Sequence, residues 1–453
     1  MTMPSGFTWG VATASYQIEG SPRADGKGVS IWDTFVRQPG TIADGESGDV
    51  ACDSYRRWHD DLALLRELGV DSYRFSIAWP RVVPFGRGEP NEAGLAHYER
   101  MIDDLLEVGI EPTVTLYHWD LPQALQDRGG WTNRDTAAAF ADYAQLCFAR
   151  FGDRVPRWLT LNEPFVFVVL GHLMGVHAPG IQDVEATARA THHALLGHGM
   201  AVQRFRASNA TGRIGLANAE ARIEAGVDEP GTERAVEAAR DLRTRLMLDP
   251  VLGRGHNEPM TGLFEQLTGT PMPLADGDME TIATPIDELG INLYTLELVG
   301  PPGDDPLDQL RGYRDVPADG EHTEMGWEVR PEALGDHLRW LDAAYPELPA
   351  LLVTENGMAD DAAPDADGVV DDPRRISFLR DYLDSLASAI DDGVDVRGYF
   401  VWTLVDNFEW AEGFTKRFGL VWTDHHSGRR IPKASFGVYR DIIARQRRPR
   451  REP

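Results

Sequence analysis

A chain of 453 residues with 42% apolar residues can bury a large core, which excludes intrinsic disorder. Its 72 acidic residues outnumber 44 basic ones, and the net charge of -28 repels phosphate backbones, so nucleic acid is excluded as a partner. Two cysteines, Cys52 and Cys147, are too few for a disulfide framework, and no apolar run has membrane-spanning length.

The acidic surface is expected to serve solubility. The opening Met1-Thr2-Met3-Pro4-Ser5-Gly6 has neither the charged nor the apolar region of a signal peptide, so a reducing, cytoplasmic location is expected. Asn209-Ala210-Thr211 is then a chance match to a glycosylation sequon.

Short, β-rich apolar runs fall at 8–14, 72–79, 112–119, 158–162, 213–217, 289–294, 350–355 and 398–404. They are near-continuously apolar rather than alternating, as parallel strands buried on both faces require. Helical segments lie between them. One covers 60–68 and stops at Gly69. The next is capped by Asn91, turns Leu95, Tyr98, Ile102, Leu105 and Leu106 inward, and stops at Gly109. A third covers 135–151 and stops at Gly152. This helix–glycine–strand rhythm marks repeated βα units. Right-handed crossovers leave an open doubly wound sheet or a closed barrel. Eight strands, and no Gly-rich phosphate loop after the first, favour an α/β fold of the eight-stranded (β/α) TIM-barrel class. It is expected as a single domain over 1–445 with long βα loops at 301–320 and 359–372, and a frayed basic tail at 446–453. Cys147 is expected to be inert packing on a helix face. Thr191-His192-His193 with His198 is expected to be structural, and His425-His426 a turn.

In such barrels the chemistry sits where strands end. The first strand runs into Gln17 and the second carries Arg74. The third ends at His118-Trp119-Asp120 and the fourth at Asn162-Glu163-Pro164. The sixth ends at Asn292-Leu293-Tyr294 and the seventh at Thr354-Glu355-Asn356. The eighth carries Trp402 and leads to Glu409-Trp410. Taken alone, a Glu at a strand end is more often an ion-pair partner, and His118 or Trp402 a core residue. Together they place two carboxyls, amides and indoles at one mouth. Hydroxyl-rich sugars match the amides, flat sugar faces match the indoles, and the two Glu supply the acid and the nucleophile or base of glycoside hydrolysis. The chain lacks HExxH, CxxC, GxSxG and P-loop motifs, so no metal or cofactor is expected.

From Phe7 to about Tyr439 the chain resembles glycoside hydrolase family 1, the β-glucosidase and β-galactosidase family. Four motifs carry the resemblance: Phe7-Thr8-Trp9-Gly10 through Gln17-Ile18-Glu19-Gly20, Thr160-Leu161-Asn162-Glu163-Pro164, Val353-Thr354-Glu355-Asn356-Gly357 and Phe408-Glu409-Trp410-Ala411-Glu412-Gly413-Phe414. The resemblance implies Glu355 as nucleophile and Glu163 as acid/base, with Arg74 and Tyr294 orienting Glu355. It implies sugar contacts from Gln17, His118, Asn162, Trp402, Glu409, Trp410 and Phe418, support from Asn292, and a leaving-group wall at Trp327. Phe165 departs from the Trp frequent there, and Arg330, Ala333 and Val438 are further departures. The implied activity is that of an exo-acting retaining β-glucosidase with β-galactosyl and β-fucosyl side activity, degrading cellobiose among other small β-glycosides and short oligosaccharides. The alternatives are a 6-phospho-β-glucosidase, a transglycosidase or a non-catalytic sugar-binding barrel. Glu409-Trp410 and Phe418 favour unphosphorylated sugars. Monomer and homo-oligomer remain open.

Overall fold

The computed structural model describes residues 3–447. Eight parallel strands follow one another around a closed barrel: β1 (Thr8–Ala12), β2 (Ser72–Ser76), β3 (Glu111–Tyr117), β4 (Arg157–Asn162), β5 (Arg213–Ala225), β6 (Glu288–Gly300), β7 (Ala350–Asn356) and β8 (Val396–Trp402). Each pairs with the next, and β8 pairs with β1 to close the ring. All eight expected strands are present. β5 and β6 run past their expected ends and stay paired up to Ala225 and Val299. Every residue of β2, β4 and β7 is buried, as parallel strands covered on both faces require.

The helices form the outer layer. Ser54–Leu68 ends at Gly69, whose φ of 71° closes the helix in the left-handed conformation. Gly152 ends Asp135–Phe151 for another reason. Its φ is -68°, but a Cβ there would meet the Phe148 carbonyl oxygen at 2.4 Å and the Ala210 Cβ at 2.5 Å. Asn91 precedes Glu92–Glu107 as expected, yet its side chain caps nothing. Its amide instead donates to the Asp25 and Arg81 carbonyls, at 2.7 and 2.8 Å, and ties the first loop to the segment after β2.

The expected loop at 301–320 contains a short helix, Pro306–Arg311, and a two-residue strand, Arg314–Asp315, antiparallel to the end of β6. The loop at 359–372 has no helix or strand. Arg445 and Gln446 close the last helix, Ala434–Gln446, so the tail begins later than expected; residues 448–453 lie outside the described residues. Cys147 is fully buried on its helix and both thiols are free. The histidine cluster is structural. On the helix Val184–Ala207, His192 contacts Asp278 at 2.8 Å, His193 the Trp131 carbonyl at 3.0 Å, and His198 the Thr160 hydroxyl at 2.6 Å. His425-His426 lies in a turn. Among the described residues no helix is long and apolar enough to cross a membrane.

At the N-terminal end of the barrel, Glu288 accepts from Arg157 and Arg213, each at 2.7 Å, and locks β4, β5 and β6 together. Close strand packing also demands glycine. A Cβ on Gly215 would lie 1.9 Å from the Glu288 carbonyl oxygen. Backbone cannot yield cheaply, so Gly215→Ala is expected to destabilise the fold by about 1–3 kcal/mol. A lowered urea or thermal midpoint checks this; an unchanged midpoint rules out the close approach.

Candidate active site

Glu163 follows β4 directly with φ 50° and ψ 63°, a left-handed conformation uncommon for a side chain of this size. Its N–H donates to the Ala217 carbonyl at 2.8 Å, and Pro164 starts the helix Pro164–Val168 at once. This sharp turn puts the carboxyl into a cavity of about 310 Å³ at the C-terminal mouth of the barrel. Trp119 and Trp410, which also line the cavity, have positive φ of 78° and 50°. Such conformations cost roughly 1–3 kcal/mol each and persist where the surrounding packing over-determines them.

Glu355 arrives from the opposite side of the barrel, near the end of β7. The register of β6 against β7 slips there: Ile291 pairs with Val353, but Asn292 pairs with Glu355. Thr354 is the extra residue, and such bulges re-aim side chains. The Thr354 hydroxyl donates to Asn292 Oδ1 at 2.7 Å. Asn292 Nδ2 then donates to Glu163 Oε1 at 2.8 Å and to Asn162 Oδ1 at 3.0 Å. A similar slip between β4 and β5 precedes Asn162.

Arg74 joins these elements from β2. Its Nη1 lies 2.6 Å from Glu355 Oε1 and its Nη2 2.6 Å from Asn162 Oδ1, while Nε donates to the Thr115 hydroxyl at 3.1 Å. Tyr294 donates its hydroxyl to the other Glu355 oxygen at 2.6 Å. Both oxygens of Glu355 therefore accept strong hydrogen bonds, one of them from a cation. Glu163 receives one neutral amide.

The electrostatics follow from this asymmetry. Burial raises the Glu163 pKa and the Glu355 charge raises it further; Asn292, Arg74 and Arg243 offset only part. Burial also pushes Glu355 upward, but the Arg74 charge and the Tyr294 hydrogen bond oppose it. Glu355 ionises first, and Glu163 keeps its proton longer. Burial and the Glu355 charge hold Tyr294 well above its ordinary pKa, so it remains a donor. Burial, then Arg74, lowers His118, which stays neutral. With Asn162 Nδ2 donating to its Nε2 at 3.0 Å, the ring proton sits on Nδ1.

Ten of the expected residues line the cavity: His118, Glu163, Asn292, Tyr294, Trp327, Glu355, Trp402, Glu409, Trp410 and Phe418. Arg74, Asn162 and Gln17 are buried and hydrogen-bond to residues that do. Gln17 Nε2 donates to the Phe408 carbonyl at 2.9 Å and to Asn407 Oδ1 at 3.1 Å. Gln17 Oε1 and His118 Nδ1 are buried with no protein partner. A hydroxyl-bearing ligand supplies the donor and the acceptor they require. Trp410 stacks on Tyr16 with rings 11° apart and has Trp119 at 4.4 Å; Trp327 packs on Tyr294 at 5.2 Å at the mouth.

Sequence reasoning missed Trp119, His177 and Arg243 as lining residues. Trp119 was legible as an indole at a strand end, and its Nε1 donates to the Asn162 carbonyl at 2.9 Å. His177 and Arg243 carry no such signal, since they come from connections far along the chain from any strand end. Among the described residues no cluster of three or more His, Cys, Asp or Glu has a metal-binding arrangement.

The family model for Glycosyl hydrolase family 1 matches residues 1–448. The chain belongs to glycosyl hydrolase family 1. Beta-glucosidase A of Thermotoga maritima is 45% identical over 97% of both chains. The bifunctional beta-D-glucosidase/beta-D-fucosidase of Bifidobacterium breve is 44% identical over 98% of both. The structure of a family 1 β-glucosidase from Thermotoga maritima in complex with isofagomine lactam superposes with a TM-score of 0.94 at 44% identity, covering 98% of this chain and 99% of that one. This family 1 chain is therefore a glycosidase on the closed barrel described above.

Burial, together with the charges of Glu355 and Glu163, pushes the Glu409 carboxyl up to about 8. A carboxyl raised on folding holds its proton more tightly in the folded state. Its contribution is favourable below the unfolded pKa of about 4.3, and stability falls as pH rises from there toward about 8. Glu409→Gln removes that dependence. Its thermal midpoint is expected to gain on the unmodified protein as pH rises, by roughly 1–3 °C at the upper end. A gap constant across that range contradicts the raised pKa.

Proposed function

We propose that this enzyme is a retaining, exo-acting β-glucosidase that releases terminal β-D-glucosyl residues, with β-galactosyl and β-fucosyl residues as secondary substrates. The observation that carries the reading is the unequal environment of two glutamates facing one cavity. Glu355, held by Arg74 and Tyr294, is the ionised nucleophile that attacks the anomeric carbon. Glu163, with its raised pKa, protonates the departing oxygen. The glycosyl–Glu355 ester is then hydrolysed by water that Glu163 deprotonates. Asn162 binds the sugar's 2-hydroxyl with the free hydrogen of its Nδ2. Gln17 Oε1, His118 Nδ1 and Glu409 take the remaining hydroxyls, against the indoles of Trp402 and Trp410.

The charges lining the cavity support a neutral sugar. Six glutamates and one arginine line it among the described residues, and that Arg243 pairs with Glu297 at 2.9 Å. A 6-phosphate would meet net repulsion. The Lys416 ammonium is engaged elsewhere, donating to the Glu324 carbonyl at 2.7 Å. Small β-glucosides such as cellobiose are the expected substrates. Two buried free thiols support a reducing, cytoplasmic setting.

Initial rates on matched nitrophenyl β-glucoside, β-galactoside, β-fucoside and 6-phospho-β-glucoside test the substrate class. Turnover of the first three is expected, and turnover of the phosphorylated sugar alone would overturn it. Glu355→Ala is expected to lose activity by a factor on the order of 10⁴ or more. Added azide should restore turnover and give the α-glycosyl azide, read by NMR. Full activity in that variant would remove Glu355 from the mechanism.

A further inference from the structure

One loop supplies Glu409, Trp410, Ala411, Glu412 and Phe418 to the wall of the catalytic cavity. This loop, 406–419, begins soon after β8 and closes on itself at a narrow neck. Leu420 N–H donates to the Thr403 carbonyl, Val421 N–H to the Leu404 carbonyl and Asp406 N–H to the Val421 carbonyl, each at 2.9 Å. The Asp406 carboxylate accepts the Gly419 N–H, also at 2.9 Å, and so joins the first residue of the loop to the last. A Cβ on Gly419 would lie 2.2 Å from the Asp406 nitrogen, so the two ends are in direct contact.

Under this neck sits a group of charges drawn from other parts of the chain. The Lys433 ammonium lies 2.8 Å from Asp406 and comes from the residue preceding the last helix, Ala434–Gln446. Both side chains are fully buried. Arg417, inside the loop, reaches the other Asp406 oxygen at 3.0 Å. Arg375, on the helix Pro373–Asp391, donates to the Arg417 and Phe418 carbonyls at 3.1 and 3.3 Å, and Asp372 meets its charge at 2.9 Å. A well-packed apolar pair is often as stable as a buried ion pair, so stability alone does not account for these charges. What the ion pair adds is direction, since it holds the carboxylate that joins the two ends of the loop.

We propose that Asp406 and Lys433 are positioning residues for sugar recognition: they fix the neck of the loop and thereby place Glu409 and Trp410 against the sugar. The proposal rests on the β-glucosidase reading above. Glu409 is three residues from Asp406, and Gln17 donates to the segment between them, at Asn407 Oδ1 and the Phe408 carbonyl. A shift at the neck is therefore passed to Glu409 and Gln17, both of which take hydroxyls in the proposed mechanism. Glu163 and Glu355 are held by other strands.

The test compares kcat/KM for nitrophenyl β-glucoside in Lys433→Met, in Glu409→Gln and in the variant carrying both. Lys433→Met alone is expected to lower kcat/KM by about ten-fold or more, because small misplacements of binding groups are costly. In the Glu409→Gln background it is expected to lower kcat/KM by about three-fold or less, since the contact it serves is already lost. A residue with a merely structural role lowers both by the same factor, and equal losses overturn this proposal alone. Should Lys433→Met not fold, Asp406→Asn takes its place in the same comparison. It keeps an oxygen for the Gly419 N–H, and burial already pulls the Lys433 ammonium down to about 8, so that the lysine can shed its proton. An unchanged kcat/KM in Lys433→Met or Asp406→Asn overturns the proposal as well. Glu409→Gln without effect removes Glu409 from the sugar site, and this proposal with it. No turnover of any β-glucoside by the unmodified enzyme overturns the β-glucosidase reading itself.

Discussion

A guanidinium almost sealed from water holds the site together. Arg74 is 1% exposed, and its donors reach the ends of three other strands: Thr115 on β3, Asn162 on β4, and Thr354 and Glu355 on β7. A buried charge is tolerated only when paired and hydrogen-bonded, so Arg74 and Glu355 constrain each other. Removing one partner from such a pair costs about 3–5 kcal/mol, because the other is left buried and uncompensated. The carboxylate is thus fixed in place and kept charged by the same contact. The other parts of the site are arranged around it: Asn162 shares the cation, Asn292 bridges Asn162 to Glu163, and Tyr294 holds the second oxygen of Glu355.

The two ends of the barrel use carboxylates differently. At the N-terminal end Glu288 is enclosed by Arg157 and Arg213, and its charge is compensated twice. At the C-terminal end Glu163 and Glu355 share the Arg74 cation, while Glu409 meets the charges of both glutamates. The shortage of positive charge leaves one carboxyl ionised and keeps protons on its neighbours. This division of protonation states is what double displacement requires. The fold supports the arrangement elsewhere. Asp406, on the loop that leads to Glu409, is fixed by Lys433 at 2.8 Å and Arg417 at 3.0 Å, and it accepts the Gly419 N–H at 2.9 Å.

The cavity wall mixes amides, carboxyls and indoles with the apolar Phe165 and Leu170. Phe165 stands where Trp is frequent in the family, and it also lines an apolar cavity of about 350 Å³ beside this one. In the proposed mechanism directional hydrogen bonds fix the sugar, and area burial, which is non-directional, acts on what the sugar is attached to.

The sequence by itself determined the eight strands, their order and the strand-end residues. Period and composition encode burial on both faces, and parallel strands placed side by side must deliver their C-terminal residues to one mouth. Glu163, Glu355, Asn162, Asn292 and Tyr294 were legible for that reason. Tertiary structure alone decided the rest. The one-residue slips beside Thr354 and Asn162 aim the carboxyls, and a register shift leaves no trace in a hydrophobic pattern. Asn91 was expected to cap its helix, but two carbonyls brought near by the fold compete better for its amide. His177 and Arg243 enter the cavity from the β4–β5 and β5–β6 connections, away from any strand end. The protonation order of the glutamates depends on which of them meets Arg74 across the barrel. That is a distance between residues 281 positions apart in the chain, and only the closed barrel sets it.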